Sequence, residues 1–129
     1  MRDAIFVETD LLAAFLLCGD PPSKLRRLLT ERPCFTGFVQ AAELLACAAN
    51  KEQKAIIDRV LCGVKILGMH ARYAEAVASI MRDETGHGRL SFRDATVLAM
   101  IREARLPLAT IRHRAKFEPL CAIATIDEI

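Results

Sequence analysis

Short apolar runs alternate along this chain with longer stretches whose apolar residues recur at helical spacing. Ala4 to Val7 is a compact apolar run with β-branched members, followed at once by Leu11, Leu12, Phe15 and Leu16 on one helical face. The first predicted unit is therefore a buried strand feeding a helix, with Glu8 and Asp10 at the junction. Gly19 to Pro22 breaks that helix, and a second follows through Leu25, Leu28 and Leu29 until Pro33 closes it. Cys34 to Gly37 is predicted as a second strand, and Val39 to Cys47 as a helix carrying Glu43 between Ala42 and Leu44. Lys51 to Val64 predicts another helix, Ile66 to Gly68 a third strand, Tyr73 to Met81 a helix, and Arg82 to Leu90 a loop. Ser91 stands at an N-cap position with Asp94 in a capping-box relation to it, opening a helix through Ala104. Leu106 to Ile111 is expected as a fourth strand and Cys121 to Ile126 as a fifth.

Short apolar strands separated by helices lose both faces to packing, which argues for a parallel sheet covered on both sides. The expected fold class is α/β: a single three-layer α/β/α domain over residues 1–129, with a central, mainly parallel five-stranded sheet. Such sheets gather ligands beyond the carboxyl ends of their strands, near the point where strand order reverses. That rule directs attention to Glu8 and Asp10.

Composition narrows the picture without supplying a function. A chain of 129 residues and 14.3 kDa suits one domain, and 53% hydrophobic residues suit a packed one. A net charge of +2 permits a nucleic-acid partner without arguing for one. The longest stretch free of charge, Pro33 to Ala42, is too short to span a bilayer. The N-terminal apolar segment carries Asp3, Glu8 and Asp10 where a secretory leader would be uncharged, so a cytoplasmic protein with no membrane partner is expected. Cys18, Cys34, Cys47, Cys62 and Cys121 are odd in number, widely spaced and mostly within apolar runs, and are expected as buried thiols.

The chemistry lies in acidic residues set in apolar surroundings. Glu8, Asp10, Glu43 and Asp94 would be costly to keep ionised near buried elements without partners. A divalent cation resolves that cost, and oxygen ligands suit Mg²⁺ or Mn²⁺, which can activate water and stabilise charge on a phosphate. Each residue also has a purely structural account: Asp94 as capping partner of Ser91, Asp10 as a helix cap, Glu43 facing solvent or an arginine, Glu8 as a strand-edge charge. Arg112, His113, Arg114 and Lys116 form a basic cluster before Phe117, suited to phosphate contact or to a solvated loop. Arg93, beside Asp94, could reach a substrate or neutralise a carboxylate.

Four segments in series resemble the motifs of PIN-domain nucleases. Phe6-Val7-Glu8-Thr9-Asp10-Leu11-Leu12 is similar to the family's opening strand and acidic turn. Phe35-Thr36-Gly37, continued by Ala41-Ala42-Glu43-Leu44-Leu45, resembles a hydroxyl after strand two and a Glu on the next helix. Ser91 through Ala99 resembles the third motif, and Leu106-Pro107-Leu108-Ala109-Thr110 resembles a late strand that ends in Thr. The resemblance, which spans nearly the whole chain, implies a Mg²⁺- or Mn²⁺-dependent endoribonuclease. In small members of the VapC type this is the toxin of a toxin-antitoxin pair, dimeric and held inactive by a small partner protein.

By that resemblance Glu8, Glu43 and Asp94 are the metal-binding and catalytic carboxylates, with Asp10 beside them. Thr9 would shape the first turn, while Thr36 or Thr110 would orient carboxylates or waters. Arg93, Arg112, Arg114 and Lys116 are the candidates for contact with RNA phosphates. Two positions depart from the pattern. Glu8 replaces the usual first Asp and shifts its carboxylate by about 1.5 Å. Arg112 stands where an Asp or Asn often follows the late Thr, so a fourth acidic ligand is missing. These departures motivate an alternative, a catalytically weakened PIN-fold module that binds RNA or protein. A receiver-like signalling domain is disfavoured, because no strand after the first ends in a phosphoacceptor Asp.

Overall fold

Ile5, Phe6 and Val7 have no polar side chain to satisfy and no face left for water, so they fit only the middle of a sheet. A computed structural model describes residues 3–17, 22–83 and 90–124. In it β1 (Ile5–Val7) is fully buried and lies between β2 (Cys34–Gly37) and β4 (Leu108–Ala109), with β3 (Lys65–Leu67) outside β2. The order is β3-β2-β1-β4 and every pairing is parallel. Ile5 and Val7 enter one hydrophobic core while Phe6 enters the other, as the two-residue period of a strand requires.

The expected fifth strand is reduced to a single parallel bridge between Leu108 and Ile123. The physical reason is the length of β4: its two residues offer one Leu108 N–H to Ala122 and one Leu108 carbonyl to Ala124. Residues 125 and 126, the end of that expected strand, lie outside the described residues.

Both faces of the sheet are covered, as the apolar strands demanded. On one side α1 (Thr9–Leu17), α2 (Pro22–Glu31), α3 (Phe38–Ala46) and α4 (Lys51–Leu61) contribute Leu11, Leu12, Leu28, Leu44, Ile57 and Leu61. On the other, α5 (Tyr73–Asp83), α6 (Phe92–Ala104) and α7 (Arg114–Phe117) contribute Val77, Ile80, Ala95, Leu98, Ile101 and Phe117. The Ser91 hydroxyl accepts the Asp94 N–H, so the N-cap read from sequence is present. Every residue of α6 from Asp94 to Ile101 is buried, which makes this helix the inner one of its layer. It ends at Arg105 in the left-handed conformation, φ 57° and ψ 44°.

The cysteines depart from expectation. Cys34 is buried and Cys121 half-buried, but Cys47 and Cys62 are exposed. Both exposed thiols sit at helix C-termini, capping α3 and α4 where the chain leaves the core. Burial pushes the Cys34 thiol up to about 11, against the opposing pull of Arg32. Cys18 and the Gly86-Gly88 stretch of the expected loop lie outside the described residues. Among the described residues no helix is long and apolar enough to cross a membrane.

Candidate active site

The chain steps from β1 outward to β2 and β3, then returns to the other side of β1 as β4. The switch point is therefore at the carboxyl end of β1, where Glu8 follows Val7. The Glu8 carbonyl accepts N–H groups of Leu11 and Leu12 and so begins α1, while its carboxylate turns inward and is fully buried. Glu8 Oε1 accepts the Thr9 N–H at 2.9 Å and the Gln40 side-chain amide at 2.9 Å. Gln40 is itself fully buried, and its Oε1 accepts the Gly37 N–H at 3.1 Å. A Cβ on Gly37 would lie 2.5 Å from that oxygen, so any side chain there would push the Gln40 amide aside. Gln40 escaped the sequence reading. Its only signal was a Gln three residues into a helix after a chain turn, half of a capping box.

Arg93, in the first turn of α6, reaches into the same place and gathers three carboxylates. Its Nη1 and Nη2 donate in parallel to Glu8 Oε2 and Oε1, both at 2.8 Å. Nη2 also donates to Glu43 Oε1 at 2.7 Å and Nε to Glu43 Oε2 at 3.2 Å, a second fork on the same guanidinium. Nη1 completes the set with Asp94 Oδ1 at 3.2 Å. Thr9 joins Glu43 to this centre, its hydroxyl donating to Oε1 at 2.6 Å. Lys116 Nζ, from α7, closes the outer side of Asp94 with a 2.9 Å contact to Oδ2.

The electrostatics follow from this pairing. Burial alone would raise the Glu43 and Asp94 carboxyls. For Glu43, hydrogen bonds from Arg93 and Thr9 outweigh it and hold the group below its ordinary 4.5. For Asp94 the Lys116 ammonium, helped by Arg93, does the same from an ordinary 3.8. Desolvation works against the charge on Arg93, but Glu8 and Glu43 prevail and fix it as a permanent cation.

Asp10 is built differently. Although it is two residues from Glu8, its Oδ2 turns to the loop after β4, accepting the Thr110 hydroxyl at 2.8 Å and the N–H groups of Ile111 and Arg112 at 2.9 and 2.6 Å. Its Oδ1 is buried without a hydrogen-bond partner. The Thr110 hydroxyl thus donates to a carboxylate, whereas the Thr36 hydroxyl donates to the Val7 carbonyl at 2.7 Å and stitches β2 to β1.

A cleft of about 400 Å³ opens over these groups, lined by Thr9, Asp10, Glu43, Ser91, Arg93, Asp94, His113 and Lys116. Of the expected phosphate contacts, Arg93 and Lys116 are committed to carboxylates, while the Arg112 and Arg114 side chains are exposed nearby.

These carboxylates do not fit a divalent ion as they stand. Both oxygens of Glu8 and of Glu43 face Arg93 nitrogens, and those of Asp94 face Arg93 and Lys116. An Mg²⁺ or Mn²⁺ ion needs oxygens converging at about 2.0–2.2 Å, a volume here filled by the planar guanidinium. Among the described residues no group of three or more acidic, His or Cys side chains is arranged to hold a metal.

A short parallel sheet between two helical layers, with acidic side chains collected at the carboxyl end of its central strand, defines a PIN-like architecture. No family model matches the sequence, and a comparison with curated proteins returns no match. Solved structures do match. A chain of a toxin-antitoxin complex from Klebsiella pneumoniae is 24% identical with a TM-score of 0.74, over 97% of this chain and 99% of that one. VapBC2 from Rickettsia felis, solved with a promoter DNA fragment, gives 15% identity and a TM-score of 0.74 over 98% and 100%. VapC20 from Mycobacterium tuberculosis, described as a toxin that cleaves the sarcin-ricin loop, gives 21% and 0.64 over 92% and 98%. The chain therefore has the fold of a VapC-like PIN domain.

Proposed function

We propose that this chain is a ribonuclease of the VapC toxin type, an endoribonuclease that hydrolyses RNA phosphodiester bonds and is restrained by a small antitoxin protein. One observation carries the reading: Glu8 after β1, Glu43 on α3 and Asp94 on α6 converge at the strand-order switch of a fold shared with toxin-antitoxin structures. Carboxylates brought together from three elements, one of them fully buried, are costly to assemble and serve no packing need. Arg112 and Arg114 beside the cleft suit RNA phosphates, which they would hold by charge rather than by sequence. The Mg²⁺ or Mn²⁺ requirement belongs to the same proposal and applies only to an arrangement in which Arg93 has left the carboxylates. Homodimerisation and a cytoplasmic location complete it.

The test is incubation of the purified chain with a mixed panel of structured RNAs, with and without Mn²⁺, beside a Glu43→Gln/Asp94→Asn variant. Cleavage by wild type and not by the folded variant is the expected result; intact RNA in every condition sinks it. A second reading, a module that binds RNA or protein without turnover, is favoured by the position of Arg93. It expects RNA retained with full affinity and uncut.

A further inference from the structure

We infer that Arg93, seconded by Lys116, is the resident cation of this acid cluster: it stands where a divalent ion would have to sit, and the folded chain takes up Mg²⁺ or Mn²⁺ only when Arg93 is displaced. The inference rests on reading this cluster as the site of the proposed activity, and concerns what occupies it.

Three features carry it. Glu8 is fully buried, so water cannot stabilise a charge there, and the fold itself places the Arg93 guanidinium against both of its oxygens. A dissociable ion would leave it bare between binding events, whereas a covalently attached guanidinium does not. Arg93 also meets Glu8 and Glu43 through two forks, and a third contact to Asp94 leaves each of its N–H donors directed at a carboxylate. A flexible ammonium could not satisfy that pattern, and a spherical ion would demand a different placing of the same oxygens. Finally, the guanidinium is anchored at its base. Arg93 belongs to the first turn of α6, whose following residues are buried without interruption to Ile101, so its origin is fixed relative to Glu8. Lys116 neutralises the remaining oxygen of Asp94. A divalent ion entering with both cations in place would be repelled by them at contact range.

Removing the guanidinium should convert the cluster. In Arg93→Gln, Glu8, Glu43 and Asp94 would face a vacated volume, with the unpartnered Oδ1 of Asp10 also buried nearby. The experiment is a Mn²⁺ titration of wild type, Arg93→Gln and Arg93→Gln/Glu43→Gln, read by the paramagnetic signal of free Mn²⁺ and by calorimetry, with circular dichroism to confirm folding. Wild type is expected to leave millimolar Mn²⁺ free. Arg93→Gln should bind at least about tenfold more tightly, and the added Glu43→Gln should abolish the gain. Submillimolar binding by wild type overturns the inference, as does a folded Arg93→Gln that binds no better. Should that variant fail to fold, Glu8→Gln/Arg93→Gln removes the buried carboxylate together with its half-buried partner; Mn²⁺ held more tightly than by wild type at the remaining Glu43 and Asp94 supports the inference, and no gain overturns it. RNA cleavage followed on the same samples separates the two readings. Arg93→Gln that binds Mn²⁺ while neither it nor wild type cuts RNA sinks the ribonuclease proposal and supports this inference, whereas submillimolar Mn²⁺ binding by RNA-free wild type overturns this inference whether or not RNA is cut.

Discussion

Glu8 and Asp10 are separated by one residue and lie at the same end of the same strand, yet their charges are compensated in unlike ways. Glu8 is held by two side chains from elsewhere in the chain, the Gln40 amide and the Arg93 guanidinium, and by the adjacent Thr9 N–H. Asp10 is held by two main-chain N–H groups and one hydroxyl, all from a single loop. The first loses its counter-charge when one side chain moves; the second loses its donors only when backbone moves. A carboxylate neutralised by a long side chain is therefore suited to exchange of its partner, and one bound by peptide groups is suited to fastening α1 to the loop after β4.

That contrast is broken most directly at Arg93. Arg93→Ala strands a buried carboxylate and should cost about 3–5 kcal/mol in urea unfolding. Asp10→Ala, which frees groups able to turn toward water, should cost about 2 kcal/mol in the same assay. If the order of these two losses is reversed, the distinction between the sites collapses. Gly37→Ala sharpens the comparison from the Glu8 side. Its new methyl meets Gln40 Oε1 at 2.5 Å and Met100 Cε at 3.1 Å, and should cost about 1.5 kcal/mol while leaving the Asp10 loop undisturbed in amide spectra.

Acid should act on the Glu8 side as well. Glu43 and Asp94 are held below their ordinary 4.5 and 3.8, so their contribution is fully present above those values and is lost as pH falls through the depressed folded-state ones. Thermal melts from pH 6 down to about pH 2 should fall across that window, and less steeply in Lys116→Met, which removes one cause of the Asp94 depression. The smallest effect is expected far from either site. Lys54→Ala breaks an exposed pair with Asp58 at 2.8 Å and should change stability by about 0.3 kcal/mol.

Much of this architecture was legible in the sequence because it depends on apolar period. β1, the alternation of strand and helix, the parallel sheet and the Ser91 cap all follow from local patterning. What escaped depends on side-chain reach. Arg93 lies next to Asp94 in sequence, but only the fold decides that its guanidinium crosses to Glu8 and Glu43. Asp10 read as one more member of an acidic set, because sequence gives no sign that a loop of one hundred residues later will present its N–H groups there. Gln40 shows only half of a capping box in sequence, and nothing there marks it as a partner of Glu8. The shortfall at the fifth strand and the two exposed cysteines have a common origin: both concern where an element ends, which hydrophobic runs specify poorly.

The position of β1 also sets which parts of the site can open first. Its amides are bonded on both edges, Ile5 to Pro33, Phe6 to Pro107 and Glu8 to Ala109, beneath a helical layer on each face. Such a segment is expected to exchange its amide hydrogens only on near-global unfolding, whereas α7, which carries Lys116, is four residues long and anchored to the core by Phe117 alone among its residues, and is expected to exchange sooner. The acid cluster thus has a slow floor and a fast wall: Glu8 rides on the last part of the molecule to loosen, and access to it is governed from the Lys116 side.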